Sequence, residues 1–423
     1  MKSYKFYIPI ISVFLNCASM VCILKQDLPS AEPVSLTLKQ CISFAREKSE
    51  LLEMRLERIN QAGYRLKQAR GGRLPDIRYQ YSLSLREKLS DTSGEGMDSK
   101  FVLNQPLYKG SKKTLLIDYS KAYIEKEKLD YLTLARELDI EVTYAFYNLV
   151  RIDSDIANLS NTFKLMTDRL NELSDRVKLG KSRDTEVLSV ESQIASLRAQ
   201  LETYYGERAK HIETLSFLTG VAPDSIAVND DMPPVKDVAP LEKYTGLIRH
   251  RSDVESARQE LLMQTFKTRS AKGSALPGIN LSGAWHTHRN GNLSGVGWET
   301  LFSLDIPLYQ GGILKGGLAE EKSRLKEYET MLSLAIRQAE LNIKTLYNDC
   351  IASVKQVEAL KSAYQKSVEN YNLQLRDYRY GLVNNLDVIQ TMMSMSDTKL
   401  TLDRTLIQAK SDFAVLEITS KND

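Results

Sequence analysis

What this chain lacks narrows its role first. Past its N-terminal leader, no stretch approaches the roughly 18 consecutive apolar residues that a spanning helix needs, so a membrane crossing by the body of the chain must be made of strands. Its 57 basic and 54 acidic side chains nearly cancel. No basic run is dense enough for a nucleic-acid arm and no acidic tail appears, which argues against DNA or RNA as a partner. Four cysteines in 423 residues form no spaced framework. Cys41 and Cys350 fall on helical patterns and read as small buried hydrophobes. No nucleophile elbow, HExxH or paired CxxC occurs, and "GGILKGG" at 311–317 lacks the Gly-Lys-Ser/Thr of a phosphate loop. Nothing therefore points to an enzyme or to a cofactor. Proline is missing from 107–222 and from 308–423, which leaves room for helices of unusual length.

The N-terminus, "MKSYKFYIPIISVFLNCASMVCILKQ", places Lys2 and Lys5 ahead of an apolar core, with small residues near Cys17–Ser19 and Ser30–Ala31. This reads as an export signal over residues 1–31. An uncleaved anchor and lipid attachment at Cys17 or Cys22 stand as alternatives.

What is present is a duplication. "FVLNQPLYKG" (101–110) returns as "FSLDIPLYQGG" (302–312), with Pro106 and Pro307 201 positions apart. "VKLGKSRDTEVL" (177–188) returns as "YRYGLVNNLDVI" (378–389), aligned through Gly180 and Gly381, and "GRLPDIRYQYSLSLR" (72–86) resembles "SALPGINLSGAWHTHR" (274–289). A period this long is the doubling of a whole architectural unit. The first unit spans 32–222 and the second 241–423, joined by a linker at 223–240 that follows Gly220 and carries Pro223, Pro233, Pro234 and Pro240.

Within the first unit, Leu138, Val142, Ala145, Leu149, Ile152, Ile156, Leu159, Phe163, Met166, Leu170, Leu173 and Val177 alternate steps of four and three. That period of 3.5 predicts a supercoiled helix from about 111 to 178, roughly 100 Å long at 1.5 Å per residue. Gly180 ends it in the left-handed conformation, and a return helix covers 183–219. The second unit repeats this more loosely, with helices at 312–380 and 384–418 around Gly381.

Between each "LP" and each "PLY" the period changes to two. Ile77, Tyr79, Tyr81 and Leu83 alternate with Arg78, Gln80, Ser82 and Ser84, and Trp298, Phe302, Leu304 and Ile306 lie opposite Glu299, Ser303 and Asp305. These are strands of about ten residues, near 76–107 and 278–308, each with one apolar and one polar face. Ten residues is the length of a tilted strand crossing a bilayer. Trp285 and Trp298 stand where an aromatic girdle would sit. Four strands cannot close a barrel, and an open edge in lipid leaves backbone groups unpaired, so copies must combine. Two copies give eight strands and three give twelve; a lumen with room for cargo favours three. His286 and His288, read as sharing a strand face, fit polar lumen lining better than a metal site.

These features resemble the TolC-like outer-membrane efflux proteins. The carriers are the paired "NQPLYKG" and "DIPLYQGG" junctions, the doubled halves and the tip segment "YRYGLVNNLDVI". The resemblance implies a mainly α chain with membrane β, in which long coiled-coil hairpins form a periplasmic α-barrel and four strands per chain enter a trimeric twelve-stranded β-barrel. It implies a passive duct in the outer membrane that extends into the periplasm, served by a periplasmic adaptor (membrane fusion) protein and an inner-membrane pump or ABC transporter. It places strand-to-helix junctions at Pro106 and Pro307, and adaptor contacts at the tips Leu179, Gly180, Gly381 and Leu382. Pore-gate candidates are Tyr378, Glu186, Asp387 and Val383. Val383 stands where the family can carry an arginine, and Asp387 where copies would form an acidic ring. The competing reading is an exported coiled-coil adaptor or scaffold, which accounts for the heptads but not for the strands.

Overall fold

The computed structural model describes residues 34–86, 94–289 and 297–421. The leader, with Cys17 and Cys22, lies outside them. A short strand β1 (Val34–Leu36) leads into α1 (Leu38–Lys48), opened by a capping box in which Thr37 and Gln40 satisfy each other's backbone N–H groups. The first unit continues with α2 (Glu50–Gly71), β2 (Asp76–Arg86), β3 (Gly94–Lys109), α3 (Lys112–Lys178) and α4 (Asp184–Thr219). Then come β4 (Ile226–Val228) and α5 (Leu241–Thr245). The second unit has α6 (Ser252–Gly273), β5 (Gly278–Arg289), β6 (Trp298–Asp305), α7 (Ile313–Arg379) and α8 (Asn385–Ser420).

The duplication is exact in helix length. α2 and α6 have 22 residues each, α3 and α7 have 67, and α4 and α8 have 36. The residues 223–240 are not an irregular linker throughout, because β4 pairs in parallel with β1, Val34 opposite Ile226. This pair ties the start of the chain to the passage between the units. Three-residue strands carry too little period-two signal to be seen in sequence.

The other four strands form one antiparallel sheet in the order β2-β3-β5-β6. Each unit supplies a hairpin, and β3 against β5 joins the units. Below the sheet, α3 is the central element and packs against α1, α2, α4, α6 and α8. The heptad seam is its buried face: Val142, Leu149, Ile152, Met166 and Leu173 are all fully buried. A first core gathers α1, α3, α4 and β1 around Phe146 and Leu149. A second gathers both hairpins near their tips around Met166, Leu173, Val190 and Met392.

Candidate functional site

Three places along the molecule carry the residues that the sequence singles out. The first is the sheet. Its register sets Ile77 opposite Leu103, Tyr79 opposite Phe101, Phe101 opposite Trp285, and Trp285 opposite Trp298. Paired residues share a face, so these side chains line one side of the sheet. That side is apolar and open: Tyr79, Tyr81, Leu83, Trp285, Trp298, Phe302 and Leu304 are all more than half exposed. Tyr79, Phe101 and Trp285 run as an aromatic file with ring centroids 5.1 and 6.1 Å apart. The opposite face carries Arg78, Gln80, Ser82, Lys100, Asn280, Ser282 and Ser303. Among the described residues no helix is long and apolar enough to cross a membrane.

His286 and His288 do not share a face. A β-bulge falls between Ser99 and Lys100; His286 pairs with Lys100 and His288 with Ser99, neighbours whose side chains alternate. His286 is buried and its Nδ1 lies 2.7 Å from Asp98 Oδ1, whereas His288 is exposed. No group of three or more His, Cys, Asp or Glu able to hold a metal ion occurs among the described residues. Cys41 and Cys350 are buried free thiols, and burial pushes both up to about 11.

The second place is the passage from strand to helix. Pro106 does not end its strand: β3 runs on to Lys109, and Pro106 pairs with Asn280 beside a bulge that accommodates the extra Leu107. β2 stops pairing at Asn104, so the missing N–H of Pro106 costs no ladder bond on that side. Pro307 lies just past the end of β6. The turn itself is made by Gly110 and Ser111 in one unit and by Gly311 and Gly312 in the other, all four with positive φ. Gly110 is pressed against Gly273 at the end of α6; a Cβ on either would collide with the carbonyl oxygen of the other.

The third place is the pair of hairpin tips. After α3, Gly180 N–H donates to Val177 O (2.9 Å) and Lys181 N–H to Arg176 O (2.8 Å). After α7, Gly381 N–H donates to Tyr378 O (3.0 Å) and Leu382 N–H to Asp377 O (3.0 Å). Both tips are thus the same left-handed glycine closure, φ 69° and 73°. Leu179 and Leu382 beside them are 69% and 73% exposed, so each tip offers an uncovered apolar side chain.

Tyr378 is buried, but its ring meets arginines rather than Glu186. The guanidinium carbons of Arg169 and Arg176 stand 4.0 and 4.7 Å from its centroid. Arg169 Nε also donates to Asn385 Oδ1 at 2.9 Å, so one α3 side chain ties together the ends of α7 and α8. Glu186 accepts from the Ser182 hydroxyl at 2.6 Å, in the first turn of α4. Asp387 forms a capping box with Asn384 at the start of α8, and Val383 packs half-buried against the tip core. Arg169 and Arg176 escaped the sequence reading, although their spacing of seven keeps them beside the heptad seam.

The model of the family described as outer membrane efflux protein matches residues 41–221. The chain is 23% identical to nodulation protein T of Rhizobium leguminosarum bv. trifolii, an alignment that covers 87% of this chain and 81% of that protein. It is 21% identical to the outer membrane protein TolC of Salmonella enteritidis, over 79% and 72% of the two chains. The crystal structure of CusC superposes with a TM-score of 0.83 at 17% identity, covering 93% of this chain and 94% of that one. The resemblance read from the doubled junctions and tips is therefore borne out: the first unit matches the outer membrane efflux protein family in sequence, and over nine-tenths of its length the chain shares the fold of CusC.

Proposed function

We propose that the chain is the outer-membrane duct of a tripartite efflux or secretion system. One observation carries this: a four-stranded sheet with an open apolar face stands on two helical hairpins whose long helices are each about 100 Å. Such a sheet is stable in lipid only if its free edges β2 and β6 are paired, and three copies would supply the twelve strands of one barrel. The polar face then lines water, and the hairpins carry the passage on into the periplasm. The protein moves cargo without chemistry, so a periplasmic adaptor and an inner-membrane pump or ABC transporter provide selection and energy.

The exposed Leu179 and Leu382 at the glycine tips are the adaptor contacts in this reading. Tyr378, Glu186, Val383 and Asp387 lie at the narrow end of the duct. Three Asp387 carboxylates would make an acidic ring that concentrates cations. Asp387→Ala should lower cation selectivity of the open pore in planar bilayers; an unchanged reversal potential would leave Asp387 as a cap alone.

The deciding experiment is the mass of the detergent-extracted particle, corrected for bound detergent. Three chains per particle, released from membranes only by detergent, is the expected result. A species that dissolves without detergent would replace this reading with an exported coiled-coil scaffold.

A further inference from the structure

At the base of the sheet the two units repeat their charges as well as their fold. An offset of 202 carries Arg65, Lys67, Arg70 and Leu74 onto Lys267, Arg269, Lys272 and Leu276. The backbone repeats too: Leu74 N–H donates to Gly71 O at 2.9 Å and Leu276 N–H to Gly273 O at 3.2 Å, so a helical turn continues past each helix end. Steps of three and four then hold Lys67, Arg70 and Leu74 on one face, and Arg269, Lys272 and Leu276 on its copy. Leu74 and Leu276 are exposed, directly before the prolines that precede β2 and β5.

These two stripes turn away from the polar side of the sheet. Lys109 and Lys112 share a hollow with Asn280, Ser303 and Asp305 of the polar face. Tyr119 and Tyr123 stand seven and eleven residues on from Lys112, so they take that same side of α3. Arg65 donates to the Tyr123 hydroxyl at 3.2 Å, and the Lys267 ammonium lies 5.4 Å from the Tyr119 ring centroid. Lys67 and Arg269 follow two residues later, about 200° round their helices, on the side of the apolar sheet face. All four stripe cations are exposed, and among the described residues none meets a carboxylate; the Lys67 ammonium has the Tyr64 ring 5.0 Å away. Further from the sheet the pattern changes, for Lys121, Lys126 and Lys128 on α3 and Arg324 on α7 each hold an ion pair. A solvated helix face laces opposite charges together, and these stripes do not.

We propose that the two stripes bind the phosphate headgroups of anionic phospholipid, in the leaflet where the sheet passes into the helices. The cations trail each leucine by four and seven residues, about 6 and 10 Å along the helix, where the headgroup layer lies. Lysine and arginine can lay their apolar stems toward Leu74 and Leu276 and keep the charge among the headgroups. Each cation at an anionic membrane surface strengthens binding about fivefold. Continuity with the apolar sheet face selects a lipid rather than a soluble anion, because one side of the chain is apolar above the stripe and cationic at it. The proposal rests on the duct reading, which puts that side in the bilayer.

Native mass spectrometry of the detergent-extracted particle, with phosphatidylglycerol and phosphatidylcholine added in equal amounts, tests it. Phosphatidylglycerol should be retained several-fold over phosphatidylcholine, and inorganic phosphate should not displace it. Lys67→Gln, Arg70→Gln, Arg269→Gln and Lys272→Gln together should abolish the preference with particle mass and helix content unchanged, since all four side chains are exposed. Lys67→Gln with Arg70→Gln alone should lose about half of the retained lipid, because the second stripe stays. Lys109→Gln with Lys112→Gln, on the polar face, should keep the full preference. Equal retention of the two lipids, displacement by phosphate, or a preference that survives the fourfold variant overturns the proposal. Loss of the preference in the polar-face pair overturns it as well, and would place an anion site in the passage instead. A chain that dissolves without detergent overturns the duct reading, whereas a detergent-bound particle without lipid preference overturns only the stripes.

Discussion

Helices α3 and α7 are both 67 residues long and start from the same left-handed junction, yet twenty side chains of α3 are buried and only five of α7. The difference lies in neighbours. α3 has α2, α4, α6 and α8 around it, whereas of these long elements α7 has α6 and α8. α7 lacks the counterpart of α3's packing against the other unit, its contacts with α6 and α8, and Leu341 on it is 66% exposed. The long helix of the first unit is thus packed against both units, and that of the second chiefly against its own unit. Duplication gave the two units the same elements without giving them the same surroundings. Charge follows the same divide. Asp155 on α3 is fully buried and held by Arg404 of α8 through two bonds of 2.9 Å. The matching positions 356 and 203 are Gln356 and Thr203, which can form no such ion pair.

The largest expected break in this comparison is in the core. Phe146→Ala on α3 removes a ring that is 1% exposed and should lower chain stability by about 3–5 kcal/mol. Tyr347, its match on α7, is half-buried against Tyr244 with centroids 6.0 Å apart. Tyr347→Ala should cost dissociated chains roughly half as much, since less area leaves water. Urea unfolding of dissociated chains in detergent measures both, and equal losses would mean that α7 is as finished as α3. Next comes Asp155→Asn, which should cost about 1.5–3 kcal/mol. The lower end is expected, because Arg404 is 39% exposed and water takes up part of its charge. Gln356→Ala should leave the chain's own stability nearly unchanged. A large loss at Gln356 would show that it already has an internal partner.

Much of this architecture is legible in the sequence, and what is not has physical reasons. The heptad seam, the glycine closures and the strand alternation are local patterns, and they set α3 at Lys112–Lys178 where the periodicity places a helix at 111–178. The resemblance carried by the doubled junctions points to the family whose model matches the first unit. Pro106 was misplaced because proline looks the same at a strand end and at a bulge; which one it is depends on β5 across the sheet. His288 was set on the wrong face for the same reason, since a bulge on a pairing edge resets the alternation. Buried charges such as Asp155 and Arg169 are invisible for another reason. On a helix of mixed composition they look solvated until the groups that hold them are known, and Arg404 for Asp155 and Asn385 for Arg169 lie more than 200 residues away.

The smallest expected effect lies at the tips, where the comparison between units is sharpest. Tyr378 of α7 is clasped by Arg169 and Arg176 of α3, within the chain. The matching positions at the offset of 201 are Val177, Asn370 and Asp377, which can form no such clasp. The tip of the second unit is thus fastened to its own chain, and in the duct reading proposed above the first tip has no matching clasp on the next copy. Opening should then part copies rather than units. Tyr378→Leu keeps the bulk and removes the cation–π contacts, worth about 0.5–2 kcal/mol. That is enough to shift a closed-to-open ratio several-fold without unfolding the hairpins. Single-channel recordings should show longer open dwell times, with the same full conductance as the parent. Arg169→Lys, which keeps the charge but not the planar group or the bond to Asn385, should give a smaller shift in the same direction. If Val177→Tyr, which offers a ring at the unfastened tip, lengthens open dwell times as much as Tyr378→Leu does, the clasp is only packing and the two tips are mechanically alike.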